Sequence, residues 1–482
     1  MSASFKVDCG SPTTPFPHYW ETVVGSGHAP LALRADWQAH LRHCQQDLGF
    51  RYVRFHGILS DDMGTLIDQN DQLLYSFHNA DTIFDFLMSI GMKPFVELSF
   101  MPLALSSGGE IVFHYKGNIS PPRDFGQWET LISKLVGHWV ERYGLKEVSS
   151  WFFEVWNEPN LDAFWTGSQA DYFKLYATTA RAVKGVNESL RVGGPATAAS
   201  EWVDAFVEFC RKHKVPYDFV STHHYPTDAF GDPGDDTLTQ LSKSRIGVLN
   251  EQVAVAHRQA GGAPLYYTEW CTSSNSRDTL HDDPYAAAYI VKTIMDMGNL
   301  VEGYSYWTFT DIFEENYFPS LPFHGGFGLT NIHGIPKPAY RGYQLMHALG
   351  DRQHAVEGNH HTVSVWVISR KDRTTVLITN LALPRHDIEQ VGVSVVLKDL
   401  APSRAAWIAR IDDSNANAKA CWEAMKKIDY PIPDQVAQMM KASELQWTEQ
   451  QLDLEDGAQI LNFMVQPQSV TAIELHHSEL QN

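Results

Sequence analysis

Glu158 and Glu269 each stand at the end of a short apolar run flanked by aromatic residues. The first run is Trp151-Phe-Phe-Glu-Val-Trp-Asn-Glu-Pro-Asn160, where Pro159 forbids further ladder pairing and so marks a strand end. The second is Pro264-Leu-Tyr-Tyr-Thr-Glu269-Trp270. Two carboxyl groups brought to one site can cleave a glycosidic bond without metal or cofactor. One, protonated, gives its proton to the leaving oxygen, and the other, ionised, attacks the anomeric carbon. Their surroundings must then push the two pKa values apart. Ser221-Thr-His-His-Tyr-Pro226 ends another apolar run, and its order places His223 and Tyr225 to flank Glu269. Either glutamate alone reads as a solvated acid at a strand end; the pair on one repeating pattern points to chemistry.

The elements that must position them alternate in type. Strands are expected over Tyr19–Val24, Arg51–His56, Lys93–Ser99, Ser150–Asn157, Leu190–Ala196, Phe219–Tyr225, Pro264–Trp270 and Gly303–Thr310. Amphipathic helices are expected between them, most clearly over Asp124–Tyr143, where Trp128, Leu131, Ile132, Leu135, Val136, Trp139, Val140 and Tyr143 form one stripe. Eight strands with intervening helices predict an α/β fold, a (β/α)8 TIM barrel over residues 18–351. In such a barrel the rim at the strand C-termini carries the functional groups, with Glu158 on the fourth strand and Glu269 on the seventh. No G-x-G-x-x-G or Walker A sequence supports a nucleotide-binding sheet instead.

Beyond residue 351 the runs become β-branched with polar breaks, as in Thr374–Asn380 and Val391–Leu397. Residues 352–482 are therefore expected to form an all-β, sandwich-like accessory domain, with the N-terminal segment 1–17 pairing with it. Ala420–Lys441 reads as a surface excursion.

Composition narrows the partners. A net charge of −20 disfavours nucleic acid. No run approaches the roughly 20 apolar residues of a membrane span. Five scattered cysteines, and an N-terminus without a charged region preceding an apolar one, suggest a cytoplasmic protein with neither a disulfide framework nor a Cys-x-x-Cys metal site. No cofactor or metal is implied, and nothing in the sequence specifies an oligomeric state.

Trp156-Asn-Glu-Pro159 and Thr268-Glu269-Trp270 resemble the signature of the clan A retaining glycosidases. The closer resemblance is to glycoside hydrolase family 39. It is carried by Trp20-Glu-Thr-Val-Val-Gly-Ser-Gly-His28, Phe55-His-Gly-Ile-Leu-Ser-Asp-Asp-Met-Gly64, His114-Tyr-Lys-Gly-Asn118, both glutamate segments and Phe309-Thr-Asp-Ile-Phe-Glu-Glu315. The resemblance implies Glu158 as acid/base, Glu269 as nucleophile and Asn157 as the partner of the sugar 2-hydroxyl. It places His56, His223, Tyr225, Trp307, Glu314 and Glu315 around the non-reducing sugar. A retaining mechanism predicts carboxyl groups about 5–5.5 Å apart.

The activity so implied is that of an exo-acting β-xylosidase releasing xylose from short xylo-oligosaccharides, its small-molecule substrate. An α-L-iduronidase-like activity is disfavoured, because a uronate subsite wants Arg or Lys where the strand ends offer acids, His and aromatics. A β-glucosidase or arabinosidase activity differs by about 1–3 kcal/mol of discrimination, and a catalytically silent sugar-binding protein is the non-enzyme alternative. Three weaker features read as structural. His223 and His224 point to opposite strand faces and do not make a metal pair. Glu97 and Glu154, inside strands, suit buried hydrogen-bonded pairs. Cys271, beside the nucleophile strand end, suits packing as a small hydrophobe.

Overall fold

The computed structural model describes residues 2–477 apart from 71, 316, 402, 404, 451 and 456. Met1 and residues 478–482, the ends of the expected first and last segments, lie outside the described residues. Eight parallel strands close into a barrel. They are β1 (Val23–His28), β2 (Tyr52–His56), β3 (Lys93–Leu98), β4 (Phe152–Val155), β5 (Arg191–Thr197), β6 (Phe219–His224), β7 (Leu265–Trp270) and β8 (Gly303–Tyr306).

The first strand departs from expectation. Tyr19–Glu21 form a short 3-10 turn, and the strand runs through Gly25-Ser26-Gly27, whose low β-propensity hides it in the sequence. A Cβ on Gly25 would stand 2.5 Å from Cε3 of Trp307, so glycine makes room for that indole. The helix Val248–Gln259, between β6 and β7, also escaped the sequence reading. The helix Phe125–Tyr143 buries Trp128, Leu131, Ile132, Leu135, Val136 and Trp139, while Val140 and Tyr143 stay half-buried. Ser168 caps the helix Gln169–Val186 through a reciprocal pair with Asp171.

Period-two alternation layers the barrel interior. Val23, Phe95, Phe152, Phe219 and Tyr266 fill its N-terminal end, with Phe95 and Phe152 stacked at 4.7 Å. Two residues further along the strands come Arg54, Glu97, Glu154 and Thr268, each fully or almost fully buried. The next layer opens at the rim.

The C-terminal region pairs a seven-stranded sheet with a four-stranded one. The N-terminal strand Ser2–Asp8 lies parallel to Val391–Lys398 in the smaller sheet. Phe5, Val7, Val365, Val376, Val393 and Leu461 form part of the core between the sheets. The larger sheet also packs against the barrel: Trp366 Nε1 donates to Asp296 Oδ1 at 3.2 Å.

The expected surface excursion at 420–441 is corrected. Two helices, Ala418–Ala424 and Pro433–Ala442, bury Trp422 and Met439 against Phe323 and Ile335 of the segment that follows β8. Lys419 pairs with Asp283 at 2.7 Å. Apolar residues on the two helices dock on the barrel, while Tyr430 and Ile432 between them remain exposed.

Candidate active site

At the C-terminal rim lies a cavity of about 260 Å³ bordered by Glu158, Glu269, Asn157, Tyr225, His56 and Trp307. Glu315, Phe113, Phe164, Phe327, Ser274 and Ser276 complete its wall. Beyond β4 the backbone enters the left-handed region at Trp156 (φ 74°) and again at Glu158 (φ 43°). That break in alternation lets the adjacent Asn157 and Glu158 both face the cavity, and Glu158 N–H is held by Ala196 O at 2.8 Å. Such backbone is costly for non-glycine residues and persists only where the surroundings enforce it.

Arg54 organises the floor. Its guanidinium, with no exposure, donates to Glu154 Oε2 at 2.5 Å, Glu269 Oε1 at 2.7 Å and Asn157 Oδ1 at 3.0 Å, and pairs with Glu97 Oε2 at 2.8 Å. The contact to Asn157 Oδ1 turns the amide so that its NH₂ is available to a ligand. Arg54 is the principal functional residue that sequence reading missed. An arginine inside the strand Tyr52–His56, two positions from His56 and so on the same face, was the available signal. Four of its five N–H donors are engaged, and the guanidinium is wholly buried beneath the carboxyl groups, so its presence does not restore a uronate subsite.

The two glutamates differ in their partners. Glu269 is held by Arg54 on Oε1 and accepts from the Tyr225 hydroxyl on Oε2 at 3.0 Å. Burial pushes its pKa up, and Arg54 and His56 oppose that rise. Burial pushes Glu158 well above the ordinary carboxylate range, and the Glu269 charge pushes it further. Both carboxyls are raised, Glu158 further than Glu269, which is the separation that an acid and an anionic carboxyl require. Glu315 is also driven well above its ordinary value, by burial and then by the charges of Glu269 and Glu158. Glu97 goes the other way, because Arg54 and His56 outweigh its burial. The single guanidinium thus balances some of the five carboxyls, and burial neutralises others.

Two expected lining residues sit elsewhere. His223 has no exposure and lies behind the wall, with Nδ1 3.0 Å from Glu158 Oε1 and Nε2 3.1 Å from Thr268 Oγ1. Its close partner is therefore Glu158, while Glu269 Oε2 is 3.7 Å away. Glu314 turns from the cavity toward His28 Nδ1 at 3.1 Å, and only its neighbour Glu315 enters the wall. His224 points out of the barrel, bonded to Tyr304 at 2.7 Å.

Glu158, His223 and Glu269 each bring a ligand atom within 4.8 Å of the others, the one potential metal-holding group among the described residues. A cation there would compete with Arg54 for Glu269 and meet a neutral Glu158, so the donor set suits proton chemistry better. No described helix is long and apolar enough to cross a membrane.

A (β/α)8 barrel with two carboxyl groups of unequal proton affinity facing one small pocket is the architecture of a glycoside hydrolase. The model for Glycosyl hydrolases family 39 matches residues 3–450, and the chain belongs to that family. It is 47% identical to a beta-xylosidase of Caldicellulosiruptor saccharolyticus over 95% of both chains. It is 37% identical to a beta-xylosidase of Geobacillus stearothermophilus, over 95% of this chain and 93% of the other. Its structure matches that of a monomeric beta-xylosidase from Caulobacter crescentus with a TM-score of 0.87 and 34% identity, covering 99% of this chain and 100% of that one.

Proposed function

We propose that the protein is a retaining, exo-acting β-xylosidase that removes xylose from the non-reducing ends of short xylo-oligosaccharides. The observation that carries this reading is the pairing of a neutral Glu158 with an Arg54-held Glu269, whose nearest oxygens are no more than 4.8 Å apart. That spacing supports double displacement, because inverting enzymes need about 6.5–9.5 Å to admit a water between the carboxyls. Glu158 acts as acid and then base, and Glu269 as nucleophile. Asn157 donates to the sugar 2-hydroxyl, while Trp307, His56 and Glu315 hold the sugar at the bottom of the pocket. A cavity of about 260 Å³ suits a terminal sugar better than the middle of a chain.

Residues 18–351 are the catalytic unit in this reading, and the 1–17 and 352–482 segments brace it. Five unpaired cysteines favour a reducing, cytoplasmic setting, where the substrate arrives as short oligomers.

The test is a panel of aryl β-D-xyloside, β-D-glucoside, α-L-arabinoside and α-L-iduronide, with the anomer of the first-formed product followed by NMR. Preference for the xyloside with β-xylose appearing first is expected. Preference for the iduronide would keep the two-glutamate chemistry and overturn the substrate assignment.

A further inference from the structure

Behind Glu158 runs a buried chain of hydrogen bonds whose direction is determined at its far end. Glu154 is ion-paired with Arg54 at 2.5 Å, so its carboxylate only accepts. The Thr268 hydroxyl lies 2.7 Å from Glu154 Oε1 and must spend its one proton there. Thr268 Oγ1 then has only lone pairs to offer His223 Nε2, 3.1 Å away, which must carry hydrogen. In a neutral ring that leaves Nδ1 bare, facing Glu158 Oε1 at 3.0 Å. Two bare acceptors at that distance repel, so the carboxyl must supply the proton.

We propose that Thr268 is a positioning residue: by fixing the Nε2–H tautomer of His223 it holds Glu158 in its protonated form. This rests on Glu158 being the acid/base. His223 is kept neutral by its burial and by Arg54, His56 and His224 around it. Glu158 is faced by Arg54 from β2, Glu97 from β3, His223 and Asp228 from β6 and its following turn, Glu269 from β7 and Glu315 from the loop after β8. Of these neighbours, His223 alone hydrogen-bonds the Glu158 carboxyl among the described residues. A bound glycosidic oxygen competes with Nδ1 for the proton, and Glu158 releases it to that oxygen as the glycosidic bond breaks. The resulting carboxylate still faces a lone pair, which keeps its proton affinity high for drawing a proton from water in the second step. Thr268 thus serves both half-reactions from a position that touches no substrate.

The decisive variant is Thr268→Val, of the same shape but without the hydroxyl. Freed from Thr268, His223 adopts the Nδ1–H tautomer, donates to Glu158 and stabilises its ionised form. The alkaline limb of kcat/KM, measured with an unactivated xylo-oligosaccharide, is expected to move down by about 1–2 pH units, the scale of one hydrogen bond to a charged group. The acidic limb, set by Glu269, stays in place. Thr268→Ser restores the wild-type alkaline limb. An unmoved alkaline limb, or two limbs moving together, overturns the proposal. Should the valine variant not fold, ¹⁵N-histidine NMR of the wild type decides: an Nε2–H signal lost in His223→Gln supports the proposal and an Nδ1–H signal overturns it. That readout does not depend on turnover. By contrast, full activity of Glu158→Ala on the same oligosaccharide would remove the acid/base reading itself.

Discussion

Arg54 Nη1 stands 2.7 Å from Oε1 of Glu269, although 215 residues separate them in the chain. The guanidinium is wholly buried, and its other nitrogens engage Glu97, Glu154 and Asn157. It is the positive charge that lets a buried carboxyl remain ionised at the cavity floor. Removing one partner of such a buried set leaves the others unpaired, a cost of about 3–5 kcal/mol.

Arg54→Lys keeps the charge and loses the planar fork, so one ammonium cannot serve four oxygens. The variant is expected to unfold at a lower denaturant midpoint. Its Glu269 loses the guanidinium hydrogen bond that favours the ionised form, so the acidic limb of kcat/KM rises to higher pH. A pH–rate profile beside a urea melt checks both; an unmoved acidic limb would separate Arg54 from the nucleophile.

Glu269→Ala removes the covalent step and is expected to lower kcat on the order of 10⁴-fold or more. Glu158→Ala acts more selectively. Substrates with poor leaving groups lose on the order of 10²–10⁴-fold in kcat/KM, while activated aryl glycosides, which need no proton, lose far less. A leaving-group series measured on both variants distinguishes the roles, and equal losses across the series for Glu158→Ala would refute its part.

Gly25→Ala touches no substrate, yet its methyl would meet the Trp307 ring at 2.5 Å. The indole must shift, at a cost of about 1–3 kcal/mol for overpacking. The expected outcome is a raised KM for xylosides with a smaller change in kcat. Trp307→Ala should raise KM further, so that the double variant adds little to the single one.

Glu315 holds its proton more tightly folded than unfolded. Its contribution to stability is full below the ordinary carboxylate pKa and declines as pH rises toward the raised folded value. Glu315→Gln stays neutral throughout. Thermal melts from acidic to mildly alkaline pH should therefore show the variant gaining on the wild type as pH rises. Parallel curves would show that Glu315 is already ionised.

Most of the barrel, and the strands that carry its two glutamates, were legible in local residue patterns. Strand and helix periodicity is local, so runs such as Phe219–Tyr225 and the Asp124–Tyr143 stripe announce themselves. Counting strands then assigns Glu158 and Glu269 to one rim. The first strand was displaced because Gly25 answers to Trp307 and Gly27 to Phe313, rather than to strand propensity.

Which partner each side chain meets became legible only in the folded chain. His223 lies beside Glu158 rather than in the cavity wall, and Glu315 rather than Glu314 enters that wall. The helices around Trp422 and Met439 dock on the barrel instead of projecting from it. Arg54 became visible as the hub only when β2, β4 and β7 were brought together. The reason is physical. Period-two alternation says which face of a strand a residue occupies. Closing the barrel sets its register and brings charges from distant strands within about 3 Å, where burial makes their pairing decisive.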